Sequence, residues 1–213
     1  MNIRGTVAGL VACVVLSTHA ARAEINVDID GLQQRWAEVN YQLQGSARLS
    51  AFEQLLEDVQ GALEQHSDQA AIWLWNGIIK SSYAKAKGGL SALELVKQSK
   101  EDLERAMGLD ADVMQGLAYA ALGTLYFNVP EWPLGFKDEK KAEELFQRAL
   151  LLNPDGVDSN YFYGRYLVHK KRYAQARHYL EKARQEVSKD HGSVAGIGRQ
   201  QEIAEALTAI SAN

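Results

Sequence analysis

Ala142-Glu143-Glu144-Leu145-Phe146-Gln147-Arg148-Ala149 and Ala176-Arg177-His178-Tyr179-Leu180-Glu181-Lys182-Ala183 match in pattern at an offset of 34 residues. Small residues coincide at 142/176 and 149/183, and large apolar ones at 146/180. Apolar positions four and three residues apart mark one face of a helix. An octet of that kind returning after about 34 residues predicts a repeated unit of two antiparallel helices. The fold class predicted from this stretch is all-α.

Working outward, Tyr119-x-x-Leu122-Gly123-x-x-Tyr126 supplies the first helix of one unit. Ala142, Phe146, Ala149 and Pro154 supply its second helix and exit, and Gly164 and Leu167 open the next unit. Upstream, Trp73-x-x-Asn76-Gly77 begins a weaker copy completed by Leu103 and Ala106, and Val59 and Ala62 read as the second helix of an earlier unit. The pattern resembles the tetratricopeptide repeat (TPR) over about residues 45–190. Gly or Ala at the crossing lets two backbones approach, and large side chains fill the gaps beside it. A pair cannot bury its apolar face alone, so units stack. The resemblance implies a TPR-like solenoid of helical hairpins. Ile203, Ala206, Leu207 and Ile210 predict a C-terminal capping helix over about 196–211. Ile29, Leu32, Trp36, Val39 and Leu43 predict a helix at the front, with Gly45-Ser46 as its stop and Ser50 helping to start the next. Glu144 and Arg148 are spaced for an i,i+4 pair.

Two inserts interrupt the period. Gly77 to Ser99 spans 22 residues where the repeat expects about 12, and the surplus includes Lys87-Gly88-Gly89, a loop signal. Gly123 to Ala142 spans 19 residues and holds Asn128-Val129-Pro130-Glu131-Trp132-Pro133-Leu134-Gly135-Phe136. Proline fixes its own φ and restricts its predecessor, so this loop is expected to be ordered. Trp132 and Phe136 need something to pack on. They read either as a structural plug over a helix pair or as the rim of a ligand pocket or subunit contact.

In TPR-like stacks the first helix of each pair lines the concave face. The TPR resemblance places Asp158, Tyr161, Arg165 and His169 there in the last unit, with Ala120, Thr124, Phe127 and Asn128 in the one before. Leu74, Ile78 and Ser81 precede them. The candidate ligand-binding residues are Trp132, Phe136, Tyr161, Arg165, Asn128 and His169. Aromatic rings with one guanidinium suit an apolar ligand carrying one anionic group. The competing reading is that Tyr161 and Arg165 are a surface pair stacked on each other. Leu74, Ile78, Ala120 and Thr124 stand where peptide-carboxylate clamps of the TPR class carry polar groups, so a chaperone-type clamp is not expected. His169-Lys170-Lys171-Arg172 reads as a solvated turn near a helix C-terminus, or as a contact for an anionic lipid or partner.

Composition bounds the alternatives. The chain has 213 residues, 46% hydrophobic and 23% charged, with a formal charge of −4. That is ordinary globular composition, and it argues against nucleic-acid binding by bulk phosphate attraction. Residues 1–23 read as a secretory signal: Arg4, an apolar stretch from Gly5 to Leu16, and Ala21-Arg22-Ala23 as cleavage site. Residues 24–213 form the expected mature domain, with 21 basic residues against 27 acidic ones. The lone cysteine, Cys13, falls in the leader, where Leu10-Val11-Ala12-Cys13 gives the competing lipoprotein reading. No HExxH, GxSxG or P-loop occurs, and His66, His169, His178 and His191 have no metal spacing between them. No enzyme, metal or cofactor is expected.

The runs 129–136, 138–143 and 153–164 (Asn153-Pro154-Asp155-Gly156-Val157-Asp158-Ser159-Asn160-Tyr161-Phe162-Tyr163-Gly164) narrow the resemblance. They are similar to the TPR-like T-component family of bacterial tripartite ATP-independent periplasmic (TRAP) transporters, over about residues 50–190. Such proteins are all-helical, often lipid-anchored, and can form trimers with a pore through each subunit. The chain departs from lipid-anchored members in its ordinary signal peptide. The resemblance implies a periplasmic binding or accessory protein, a small organic acid as ligand, a solute-binding protein as partner, and a homo-oligomer. The alternative is an envelope interaction scaffold with another protein as partner and no small ligand.

Overall fold

The computed structural model describes residues 28–131, 133–190 and 192–211. The expected signal sequence, the lipobox at Cys13 and Trp132 lie outside them. Among the described residues there are nine helices and no strand: α1 (Ile29–Tyr41), α2 (Gly45–Gln65), α3 (Ala70–Lys87), α4 (Ala92–Leu109), α5 (Val113–Asn128), α6 (Glu139–Leu152), α7 (Val157–His169), α8 (Tyr173–Val187) and α9 (Val194–Ser211). The all-α expectation holds.

Local signals explain several boundaries. Asp28 caps α1 by accepting from the Gly31 amide at 2.8 Å, and Asp138 caps α6 by accepting from the Lys141 amide at 2.9 Å. Gly88 and Gly89, at φ 65° and 71°, end α3 in the left-handed region that glycine enters without a Cβ penalty. One boundary differs from expectation: α2 already begins at Gly45, so Ser50 lies inside it. A second difference is on α6. Arg148 lies over the Tyr119 ring at 5.9 Å, while Glu144 meets Lys141 at 4.0 Å, so the expected Glu144–Arg148 pair does not form.

The crossings follow the small-residue rule. A Cβ on Gly77 would stand 2.8 Å from Leu103 Cγ, one on Gly123 2.9 Å from the Phe146 ring, and one on Gly164 2.8 Å from Leu180 Cγ. These contacts join α3 to α4, α5 to α6 and α7 to α8, the most extensively packed neighbours in the molecule. Ala142, Ala149, Ala176 and Ala183 are all buried beside them. Packing of this kind loses contact energy if either surface is trimmed. At the α3/α4 crossing the Ser99 hydroxyl also donates to the Gly77 carbonyl at 2.6 Å.

Neighbour relations beyond the hairpins position the interior. α1 packs on α3, α3 on α5, α5 on α7, α7 on α9, and α9 on α1. The odd-numbered helices therefore make a ring, and the even-numbered ones lie outside, touching only their chain neighbours. α9 buries Ile203, Leu207 and Ile210, the face expected of it, and in addition reaches α1 at the far end of the fold. The closure is staggered, because Tyr41 in the last turn of α1 meets Gly198 in the first half of α9.

Candidate functional site

The ring encloses a cavity of about 780 Å³, bordered by all five odd-numbered helices, by α4 and by the last turn of α8. That volume is in the range of small-molecule sites. Its α1–α3 wall is aromatic. Trp36 lies 5.6 Å from Trp75 and 5.8 Å from Tyr41, and its indole N–H donates to Ser82 Oγ at 3.0 Å. Ile78, Ala120 and Ala121 add apolar surface. Among the sequence-derived groove positions, Ile78, Ser81, Ala120, Thr124, Asn128, Asp158, Tyr161 and Arg165 do border the cavity.

Other expected positions do not reach it. Leu74 is fully buried among Leu103, Ala106 and Leu122 instead. Phe127 turns away to Tyr166 and His169, at 5.5 and 4.8 Å between ring centres. His169 is thus on the outside, with Nε2 3.4 Å from Glu139. Phe136 packs edge-on against Tyr126 at 5.3 Å, with the Lys100 ammonium over its other side at 5.9 Å. The loop holding it is ordered by its own backbone: Lys137 N–H donates to Pro130 O, Gly135 N–H to Glu131 O, and Asp138 N–H to Tyr126 O. Val129 and Pro130, at the loop's start, border the cavity, so the loop supplies a wall at one end and a plug at the other. Asn128, Tyr161 and Arg165 are brought together, and Phe136 and His169 are not.

The centre of the charged wall is a residue the sequence did not single out. Arg199 bonds to Asp158 at 2.7 Å and to Glu202, with 12% of its side chain exposed. Its guanidinium lies 4.3 Å from the Tyr161 ring centre and 4.9 Å from that of Phe162. Tyr41 completes the cluster by donating its hydroxyl to Glu202 at 3.2 Å. Burial raises the Tyr161 hydroxyl, and raises that of Tyr41 further, so both stay protonated and able to donate. On the other side of Tyr161 sits Arg165, whose Nη1 is 3.5 Å from the Tyr161 hydroxyl. Among the described residues Arg165 has no carboxylate partner, and its side chain is exposed. The expected Tyr161–Arg165 pair therefore exists, and it sits on the cavity wall.

The cavity's far edge carries an unusual backbone. Met114, Gln115 and Gly116 are successive left-handed residues, at φ 45°, 55° and 82°. Left-handed conformation is disfavoured for residues with a Cβ. Asn153 Nδ2 pins the turn by donating to Gln115 Oε1 at 2.9 Å.

A separate ionic cluster lies outside the cavity. Lys80 on α3 meets Asp102 on α4 at 2.7 Å, and Asn76 donates to the same oxygen at 3.0 Å. Burial raises the Asp102 carboxyl against the opposing pull of Lys80. This cluster ties the α3/α4 hairpin. In the basic turn after α7, two cations are likewise paired, Lys170 with Glu139 at 2.8 Å and Arg172 with Glu143 at 2.6 Å. Among the described residues no group of three or more His, Cys, Asp or Glu is placed to hold a metal ion, and no helix is long and apolar enough to cross a membrane.

No family model matches the chain, and no curated protein matches it.

Proposed function

We propose that this is a periplasmic, non-enzymatic binding protein of TPR-like solenoid architecture, whose interior holds a small organic anion. The observation that carries the reading is Arg165: a guanidinium with no carboxylate partner among the described residues, on the wall of a 780 Å³ cavity, beside Tyr161. An unpaired Arg can take a carboxylate in two parallel hydrogen bonds. The aromatic α1–α3 wall would hold the ligand's apolar body. The hairpins with glycine crossings support the TPR-like reading, and α9 serves as its closing helix. The similarity to the T-component family supports an accessory role beside a TRAP-type transporter and its solute-binding protein.

A thermal-shift screen of organic acids, run on wild type and Arg165→Ala, tests the binding reading. At least one acid should raise the melting temperature of the wild type in a saturable manner, as a ligand specific to the native state must. Arg165→Ala should lose that shift while unfolding at nearly the wild-type temperature. A wild type indifferent to every acid, or a shift retained in Arg165→Ala, overturns it.

A further inference from the structure

The charges on the cavity wall divide into two kinds. Each carboxylate is engaged: Asp158 and Glu202 by Arg199, Glu186 by Lys189 at 2.7 Å, and Asp190 by the Ser193 hydroxyl and amide. Two cations are not. Arg165 is one, and Lys85 on α3 is the other, since among the described residues it has neither an ion pair nor a side-chain hydrogen bond. In a chain of net charge −4, the cavity's uncompensated groups are both positive.

Their placement sets the shape of what would satisfy both. Lys85 belongs to α3 and Arg165 to α7, which do not touch each other, because α5 lies between them in the ring. Packed helix axes lie about 8–10 Å apart, so alternate members of a five-helix ring stand on the order of 15 Å apart. On α5, which lies between the two cations, the cavity wall is Leu117, Ala120, Ala121 and Leu125, with Thr124 and Asn128 as its polar members, and the Thr124 hydroxyl donates to the Ala120 carbonyl at 2.9 Å. The span between the charges is therefore mostly apolar. A single small anion would satisfy one cation only.

We infer that the cavity takes an elongated dianion, with two acidic groups joined by an apolar chain, one end held by Arg165 and the other by Lys85. This rests on the anion-binding reading of Arg165 and adds the second contact. Ser82, one turn before Lys85 on the same helix, also borders the cavity; its hydroxyl accepts from the Trp36 indole and keeps its own proton to donate at that end. Short diacids would reach only one cation, so affinity should rise with chain length until both ends are engaged.

The test is a calorimetric titration with linear dicarboxylates from succinate to hexadecanedioate, each against its monocarboxylate of equal length, on wild type, Lys85→Gln and Arg165→Gln. Both replaced side chains are exposed, so both variants should fold. The long diacid should bind wild type about tenfold more tightly than its monoacid, the worth of one charge-assisted contact. Lys85→Gln should abolish that advantage and leave monoacid affinity unchanged, whereas Arg165→Gln should weaken both. Equal binding of diacid and monoacid by wild type, or equal weakening of both by Lys85→Gln, overturns the second contact and leaves the Arg165 reading standing. Absence of binding by either series overturns both.

Discussion

The α7/α8 crossing and the α1/α9 closure both use a helical glycine as the point of approach, yet they are built from opposite materials. At Gly164 the neighbour is Leu180, inside a cluster with Tyr163, Leu167, Ala176 and Ala183 that is almost wholly dry. At Gly198 the neighbour is the Tyr41 ring, 2.4 Å from where a Cβ would stand, and around it lie Glu202, Arg199 and Asp158. The first contact joins helices three residues apart in the chain; the second joins helices separated by almost the whole fold. Dry packing is cohesive in any orientation that fills space. An ion network needs its partners at set distances, and it leaves polar groups on a cavity wall. The hairpins thus supply stability, and the closure supplies the ion network on the cavity wall beside Tyr161.

Changes at the dry crossings should cost most. Phe146→Ala removes a ring that is 1% exposed beneath Gly123, and should destabilise by about 3–5 kcal/mol in urea unfolding. A loss below about 1 kcal/mol would mean the crossing is looser than described. At the closure, Arg199→Met leaves Asp158 and Glu202 without their shared partner. It should cost about 2 kcal/mol, and it should also weaken ligand binding because Tyr161 loses its support. A variant as stable as wild type would show that the closure is not held by ions.

The two glycines give the sharpest contrast. Gly164→Ala and Gly198→Ala should each destabilise by about 1–3 kcal/mol through overpacking. Only Gly198→Ala should alter acid binding, because Tyr41 must move and it borders the cavity. Equal effects on binding would remove the distinction between the two seams.

The smallest effect concerns pH. A hydrogen bond from Lys170, with help from Lys137, holds the Glu139 carboxyl down at about 2, against an ordinary value of 4.5. A depressed native value means the stabilisation is full above the unfolded value and is lost as pH falls from about 4.5 through about 2. Glu139 is partly exposed, so the amount should stay below about 1 kcal/mol. Glu139→Gln should flatten that part of the acid limb of the stability curve; an unchanged limb would show the pair to be screened out.

The contrast between the two seams also explains what could be read from sequence. The dry crossings repeat, so Ala142, Ala149, Ala176, Ala183 and the glycines before them announced paired helices. Tyr161, Arg165, Asn128 and Thr124 were placed on the concave side because they share that register. Arg199 belongs to no repeat. Its partner Asp158 lies 41 residues earlier and Tyr41 still further off. The only local sign was Glu202, one helical turn on, which any solvated helix face could carry. His169 was misplaced for a related reason, and Phe136 follows the plug reading of its loop and not the ligand-binding one. Position in a repeat gives the side of a helix, but the insert before α6 folds back on Tyr126, and the last turn of α7 is claimed by Phe127 and Glu139. The left-handed turn at Met114-Gln115-Gly116 had no signal beyond its glycine.

The most direct measurement is native mass spectrometry of the protein expressed from its full chain, beside Arg165→Ala prepared identically. The account predicts a small acidic molecule that stays bound in the gas phase, is released on denaturation, and is missing from Arg165→Ala. A wild type that carries nothing and takes up no organic acid, or an adduct retained in full by Arg165→Ala, would contradict it.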